Sequence, residues 1–95
     1  MNILSIESTK FTPKVLMDPE NNVFQISGFS LPENVTDFYA PVLKWLDEYL
    51  DAARSLINNK NFHFVIRLVY YNSGSFKAII MILNKIVELQ YKASR

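Results

Sequence analysis

The sequence predicts an α/β domain in which helices pack on a small mixed sheet, in the element order β-β-β-α-β-α. Three observations carry that expectation. Residues 62–71 are rich in β-branched and aromatic side chains, the composition of a buried strand. Two later stretches repeat apolar residues at spacings of three and four, the period of an amphipathic helix. Near the start, Asp18-Pro19-Glu20-Asn21-Asn22 is a turn cluster between two short extended segments.

Taken in order, Ile3, Leu4 and Ile6 suggest a short first strand. Pro13 opens a second over Lys14–Met17. After the turn comes a third, Val23–Phe29, with Phe24 and Ile26 on one face and Gln25 and Ser27 on the other; the last two strands form a hairpin. Asn34 then reads as a helix N-cap, with Asp37 in the first turn where a negative charge suits the helix dipole. Phe38, Val42, Trp45, Leu46, Tyr49 and Leu50 make one apolar stripe, and this helix is expected to reach about Ser55. Pro41 interrupts it: either the helix kinks there, or a short turn ends near Ala40 and the main helix starts at Pro41.

Asn58–Asn61 is a polar loop before the long strand Phe62–Tyr71. A strand apolar on both faces is expected at the centre of its sheet. If it pairs in parallel with the third strand, the helix between them is a right-handed crossover. Asn72–Ser75 breaks the strand, and a second helix runs from Phe76 to about Tyr91. Phe76, Ile79, Ile80, Leu83, Ile86 and Val87 are expected to face the core, Ile82 and Leu89 to widen that stripe, and Lys77, Asn84, Lys85 and Glu88 to form the polar side.

Composition narrows the function. The 95 residues are enough for one domain over 1–95, and 49% hydrophobic with 20% charged residues is too apolar for a disordered segment. Ten Lys and Arg against nine Asp and Glu leave a net charge of +1, without the basic surplus of a nucleic-acid binder. The absence of cysteine removes disulfides, Cys-ligated zinc, iron–sulfur clusters and thiol catalysis. A single histidine, His63, cannot form a multi-histidine metal site, and it reads as a structural histidine. Neither a secretory signal nor a membrane span is visible, the densest apolar run being only Ala78–Leu83. A soluble cytoplasmic protein with no cofactor is expected.

No catalytic signature is present. With Gly28 and Gly74 as the only glycines there is no phosphate-binding loop, and Asp47, Glu48 and Asp51 read as a solvated helix face. The junction Asn72-Ser73-Gly74-Ser75 stands out, because a helix start presents free N–H groups and a partial positive charge. A serine there is either an N-cap, whether Ser73 or Ser75, or a phosphorylation site whose added charge the helix stabilises.

The string Tyr71-Asn72-Ser73-Gly74-Ser75-Phe76-Lys77-Ala78 resembles the Asn-(Ser/Thr)-Ser-Ser-x-Lys-Ala junction of the SiaC-type regulatory phosphoproteins. Thr12-Pro13, Pro32-Glu33-Asn34 and Phe38-Tyr39-x-Pro41-Val42-Leu43-x-Trp45-Leu46 fit the same family, so the resemblance covers essentially the whole chain. It implies a STAS-like fold, that of anti-sigma-factor antagonists, with a phosphorylatable Ser or Thr at the strand-to-helix junction. It also implies a cognate Ser/Thr protein kinase and a PP2C-type phosphatase. The unphosphorylated form would bind and stimulate a diguanylate cyclase, raising cyclic di-GMP and favouring biofilm or aggregation.

By this resemblance Ser73 aligns with the modified residue. Gly74 stands where the family commonly has a hydroxyl residue, which makes the junction more flexible and leaves Ser75 as the alternative acceptor. Asn72, Gly74, Ser75, Lys77, Met81, Asn34 and Tyr39 are the expected partner-binding residues, with Lys77 placed to pair with a phosphate and Met81 to offer an apolar contact. The family continues past its second helix with a further strand and helix, so the chain is expected to be C-terminally short: either a shortened variant, or a chain that completes itself by homo-oligomerisation. Two other readings are an anti-sigma-factor antagonist in a partner-switching module and a sheet-surface RNA binder using Phe62, Phe64, Tyr70 and Tyr71.

Overall fold

The structure, a computed structural model, describes residues 3–53 and 64–93. The elements are β1 (Leu4–Ile6), β2 (Lys14–Asp18), β3 (Val23–Ser30), α1 (Val35–Ala53), β4 (Phe64–Tyr71) and α2 (Ser73–Ala93), in the expected order β-β-β-α-β-α. They form a mixed four-stranded sheet ordered β1-β2-β3-β4, with β1–β2 and β2–β3 antiparallel and β3–β4 parallel.

The β2–β3 hairpin follows from its turn chemistry. The Asp18 carboxylate accepts the Asn21 backbone N–H at 3.3 Å and the Asn21 side-chain amide at 2.8 Å. Asn22 takes the left-handed conformation (φ 54°) that asparagine tolerates better than most residues. Alternation then sorts the two faces. Val15, Met17, Phe24 and Ile26 are buried, while Lys14, Leu16, Gln25 and Ser27 are only partly covered. Both helices lie over the first set: Tyr39, Val42, Trp45 and Leu46 of α1 and Ala78, Ile79, Ile82 and Ile86 of α2 share one core with it.

α1 begins at Val35 and runs through Pro41 without a break. The Asn34 side chain accepts the Asp37 N–H at 3.1 Å, which caps the helix as expected. Proline cannot offer the Asp37 carbonyl the N–H expected four residues on, and both positions are exposed, so that carbonyl is not sealed from solvent. The expected end near Ser55, the start of the long strand at Phe62, and His63 lie outside the described residues.

Three expectations are corrected. First, β4 is an edge strand among the described strands, paired only with β3; its outward-facing Val65 and Val69 are exposed, Val69 by 71%. Apolar composition on both faces therefore did not mark a central position. Secondly, the register of β4 slips opposite Gly28 and Phe29, where Leu68 pairs with Gly28 and Tyr70 with Phe29, leaving Val69 as an extra residue. Gly28, at φ +113°, supplies the backbone conformation this irregularity needs. The bulge reverses the alternation beyond it. Tyr70 turns away from the helices and is 61% exposed, while Tyr71 stacks on Phe76 of α2 at 6.1 Å. Phe64 meanwhile stacks on Phe24 in the core, so the aromatics of this strand do not form one stacking row.

Thirdly, α2 starts three residues earlier than the apolar pattern suggested and is rotated. Ser75, Ala78, Ile79, Ile82 and Ile86 are buried, whereas Phe76, Ile80, Leu83 and Val87 are exposed. Apolar spacing alone could not choose between two adjacent stripes. Ser75 chooses, because its hydroxyl is bonded inside the fold. The other stripe, with Ile66, Leu68 and Tyr71, borders an open cleft of about 260 Å³.

Candidate functional site

Because β3 and β4 are parallel and a helix follows each directly, both helices start at the same end of the sheet. The last residue of β3, Ser30, is where the two starts meet. Its carbonyl accepts the Asn72 N–H at 3.1 Å and the Ser75 hydroxyl at 3.0 Å. Its own hydroxyl donates to Ser75 Oγ at 2.8 Å and lies 2.6 Å from the Tyr39 hydroxyl of α1. Each hydroxyl has one proton. With those of Ser30 and Ser75 already used, Tyr39 is the donor to Ser30. The chain therefore runs Tyr39 to Ser30 to Ser75 to the Ser30 carbonyl, and all three residues are fully or almost fully buried. Burial raises the Tyr39 phenol above its ordinary value, and the two serine hydroxyls oppose that rise.

Asn72 is the N-cap of α2: its side chain accepts the Ser75 N–H at 2.8 Å, and its carbonyl accepts the Phe76 N–H at 3.1 Å. Neither serine caps. Ser73 follows the cap as the first helical residue and is exposed. The first turn of α2 contains no acidic residue, so its free N–H groups and partial positive charge are not offset locally. Lys77 is exposed one turn later, at the i+4 spacing that places it beside Ser73 on the helix surface. Met81 continues that row and is about half exposed. Tyr71 and Phe76, both about half exposed, lie beside it as a stacked pair.

The residues expected to meet a partner thus separate into two groups. Ser73, Lys77, Met81 and Asn34 are exposed, although Asn34 is already occupied as the α1 cap. Asn72 is partly covered and occupied as the α2 cap. Tyr39 and Ser75 lie in the interior, where their hydroxyls hold the fold together and reach no docking partner in this conformation. Gly74 is also placed differently from its reading as a flexible link: a Cβ there would come within 2.9 Å of Val35 Cγ2 at the start of α1. The β-branched Val35 side chain is stiff, so the glycine is needed for close approach of the two helix starts. Gly74→Ser is accordingly expected to cost about 1–3 kcal/mol, and Val35→Ala in the same chain to recover much of it. Thermal denaturation of the two single variants and the double variant checks this; simple additivity would refute the contact as the cause.

Sequence reasoning passed over Ser30, although one signal pointed to it. Continuing the inward alternation Phe24, Ile26, Gly28 brings Ser30 to the core face, where a hydroxyl must find a partner. Among the described residues no group of three or more His, Cys, Asp or Glu could hold a metal ion, and no helix is long and apolar enough to cross a membrane.

Comparison with known proteins places this geometry. A family model for SiaC family regulatory phosphoproteins matches residues 6–95. The chain belongs to the SiaC family. Within it, the chain is 32% identical over 89 residues to the uncharacterized protein PA14_02130 of Pseudomonas aeruginosa (strain UCBPP-PA14), covering 93% of this chain and 66% of that one. It thus spans just under two thirds of that relative's length. Apo-SiaC from Pseudomonas aeruginosa, known from its crystal structure, superposes with a TM-score of 0.84 at 27% identity, over 96% of this SiaC-family chain and 71% of its own. The diguanylate cyclase SiaD in complex with its activator SiaC, from the same organism, provides a further match: TM-score 0.80 at 27% identity, over 93% of this chain and 68% of the matched one.

Proposed function

We propose that this protein is a non-enzymatic regulator whose unphosphorylated form binds a diguanylate cyclase, and that phosphorylation of Ser73 ends the association. One observation carries the assignment of the acceptor: of the two serines at the junction, Ser73 is exposed at the first position of α2, and Ser75 is buried with its hydroxyl engaged. Membership of a family of regulatory phosphoproteins supports the switch, and the SiaD–SiaC complex supports the class of partner.

The chemistry fits the site. A cognate Ser/Thr kinase transfers the terminal phosphoryl group of a nucleoside triphosphate to Ser73 Oγ; the hydroxyl loses its proton and the diphosphate leaves. A PP2C-type phosphatase hydrolyses the ester, restoring the hydroxyl and releasing inorganic phosphate. The phosphate adds about −1.5 to −2 charges at a helix start that favours negative charge, with Lys77 one turn away to pair with it. A partner packed on the exposed row Ser73, Lys77 and Met81, beside Tyr71 and Phe76, would have to desolvate that charge.

Phosphosite mapping tests this reading. The chain is incubated with ATP and the Ser/Thr kinase encoded nearest to its gene, then analysed by peptide mass spectrometry. A single phosphate on Ser73 is expected, and none on Ser75 while the fold is intact. Phosphate on Ser75 alone, or on neither serine, would overturn the assignment.

A further inference from the structure

We propose that the buried hydroxyl chain Tyr39–Ser30–Ser75 is a latch on the first turn of α2, and that its opening governs how readily Ser73 reaches a kinase. The proposal rests on the reading of Ser73 as the acceptor. A protein kinase holds its acceptor segment extended, with the reacting hydroxyl in line with the phosphate. Ser73 is exposed, yet its backbone is helical and is held on both sides. Before it, the Asn72 N–H bonds the Ser30 carbonyl. After it, Ser75 makes two hydroxyl bonds to Ser30, while the Asn72 side chain holds the Ser75 N–H. Extending the segment breaks this set of bonds together, although most of α2 can stay in place on Ile79, Ile82 and Ile86.

The latch is built to be local. Its hydroxyls lie at one end of the sheet, apart from the aromatic core around Phe24, and they use every proton they have, so no buried polar side-chain atom among the described residues is left without a partner. Tyr39 contributes from α1 by donating to Ser30, which orients the Ser30 hydroxyl toward Ser75. Loss of any member weakens the rest, because a chain of buried hydrogen bonds is mutually polarising and an unpaired buried hydroxyl is costly. Ser75 is thereby a positioning residue for Ser73, with its own hydroxyl withheld from modification while the latch is closed.

Amide hydrogen exchange on the full chain reads the opening directly, without a kinase. In Ser75→Ala, which keeps helix propensity and removes both hydroxyl bonds, the Asn72, Ser75-position and Phe76 amides are expected to exchange about tenfold faster, while the Val15 and Ile26 amides hold their rates relative to global stability. Tyr39→Phe, which removes one bond and keeps the ring, should speed the same three amides by about fivefold. Leu46→Ala, a core truncation two turns along α1 from Tyr39, should raise exchange across the fold without singling out that turn. Phosphorylation of Ser73 by the same kinase should accelerate in Ser75→Ala and Tyr39→Phe in proportion to the exchange, and not in Leu46→Ala.

Unchanged exchange at the three amides, or acceleration shared equally with Val15 and Ile26, would overturn the latch. Selective opening with an unchanged phosphorylation rate would overturn its control of Ser73. Selective opening with no phosphate on Ser73 in any variant would leave the latch supported as a conformational device and overturn the assignment of Ser73 itself.

Discussion

Phe24→Ala is expected to remove about 3–5 kcal/mol of stability, much of the roughly 5–15 kcal/mol that a small domain has in total. Phe24 is 1% exposed on the sheet's covered face. Its ring lies 5.6 Å from Tyr49, 6.3 Å from Trp45 and 6.3 Å from Phe64, so it joins β3, α1 and β4 in one aromatic cluster. Truncation loses both the transfer energy of the ring and the contacts its neighbours make with it, and three large rigid side chains cannot collapse into the space. Phe24→Leu fills most of the volume and should cost less. Phe76→Ala makes a useful contrast, since Phe76 is half exposed and contributes mainly its stacking on Tyr71, worth about 1 kcal/mol. Trp45, the chain's single tryptophan, reports the unfolding by fluorescence in urea. Equal midpoint shifts for Phe24→Ala and Phe76→Ala would mean that the aromatic cluster is not the main core.

Much of this fold is legible in the sequence wherever a local rule is also the global one. The Asp18–Asn22 turn, the alternation of Phe24, Gln25, Ile26 and Ser27, and the Asn34 cap each depend on neighbours within a few residues, and each is present as read. The misreadings begin where distant residues decide. The rotation of α2 depends on a bond between Ser75 and Ser30, 45 residues apart. The exposure of Tyr70 depends on a bulge set by the pairing of β4 with Gly28 and Phe29. Gly74 looks like slack in the chain until Val35 is seen against it. The candidate site divides in the same way. Ser73, Lys77 and Asn72 belong to one short motif and occupy one surface turn, whereas the interior placement of Tyr39 and Ser75 comes from packing that no local pattern records.

Ser73→Asp is expected to strengthen the free chain slightly while abolishing the proposed association with a diguanylate cyclase, and these opposite signs are the substance of the prediction. At the first position of α2, beyond the Asn72 cap and in a turn with no other acid, a carboxylate interacts favourably with the helix dipole by about 0.3–1 kcal/mol. Ser73 is exposed and takes part in no hydrogen bond of the latch, so the substitution leaves the Tyr39–Ser30–Ser75 chain intact. In the proposed complex the same carboxylate would have to give up water against the partner's surface. Without a matching cation this costs about 3 kcal/mol or more, over a hundredfold in Kd. Ser73→Ala carries no charge and should bind as the unmodified chain does. Lys77→Ala should reduce the gain in stability of Ser73→Asp, since the i+4 pair is then lost, without restoring binding. Calorimetric binding to the host's own cyclase, set beside thermal denaturation of the same samples, reads both quantities. Loss of binding together with loss of stability in Ser73→Asp would point to damage at the helix start, and equal binding by the Ala and Asp variants would eliminate charge as the switch.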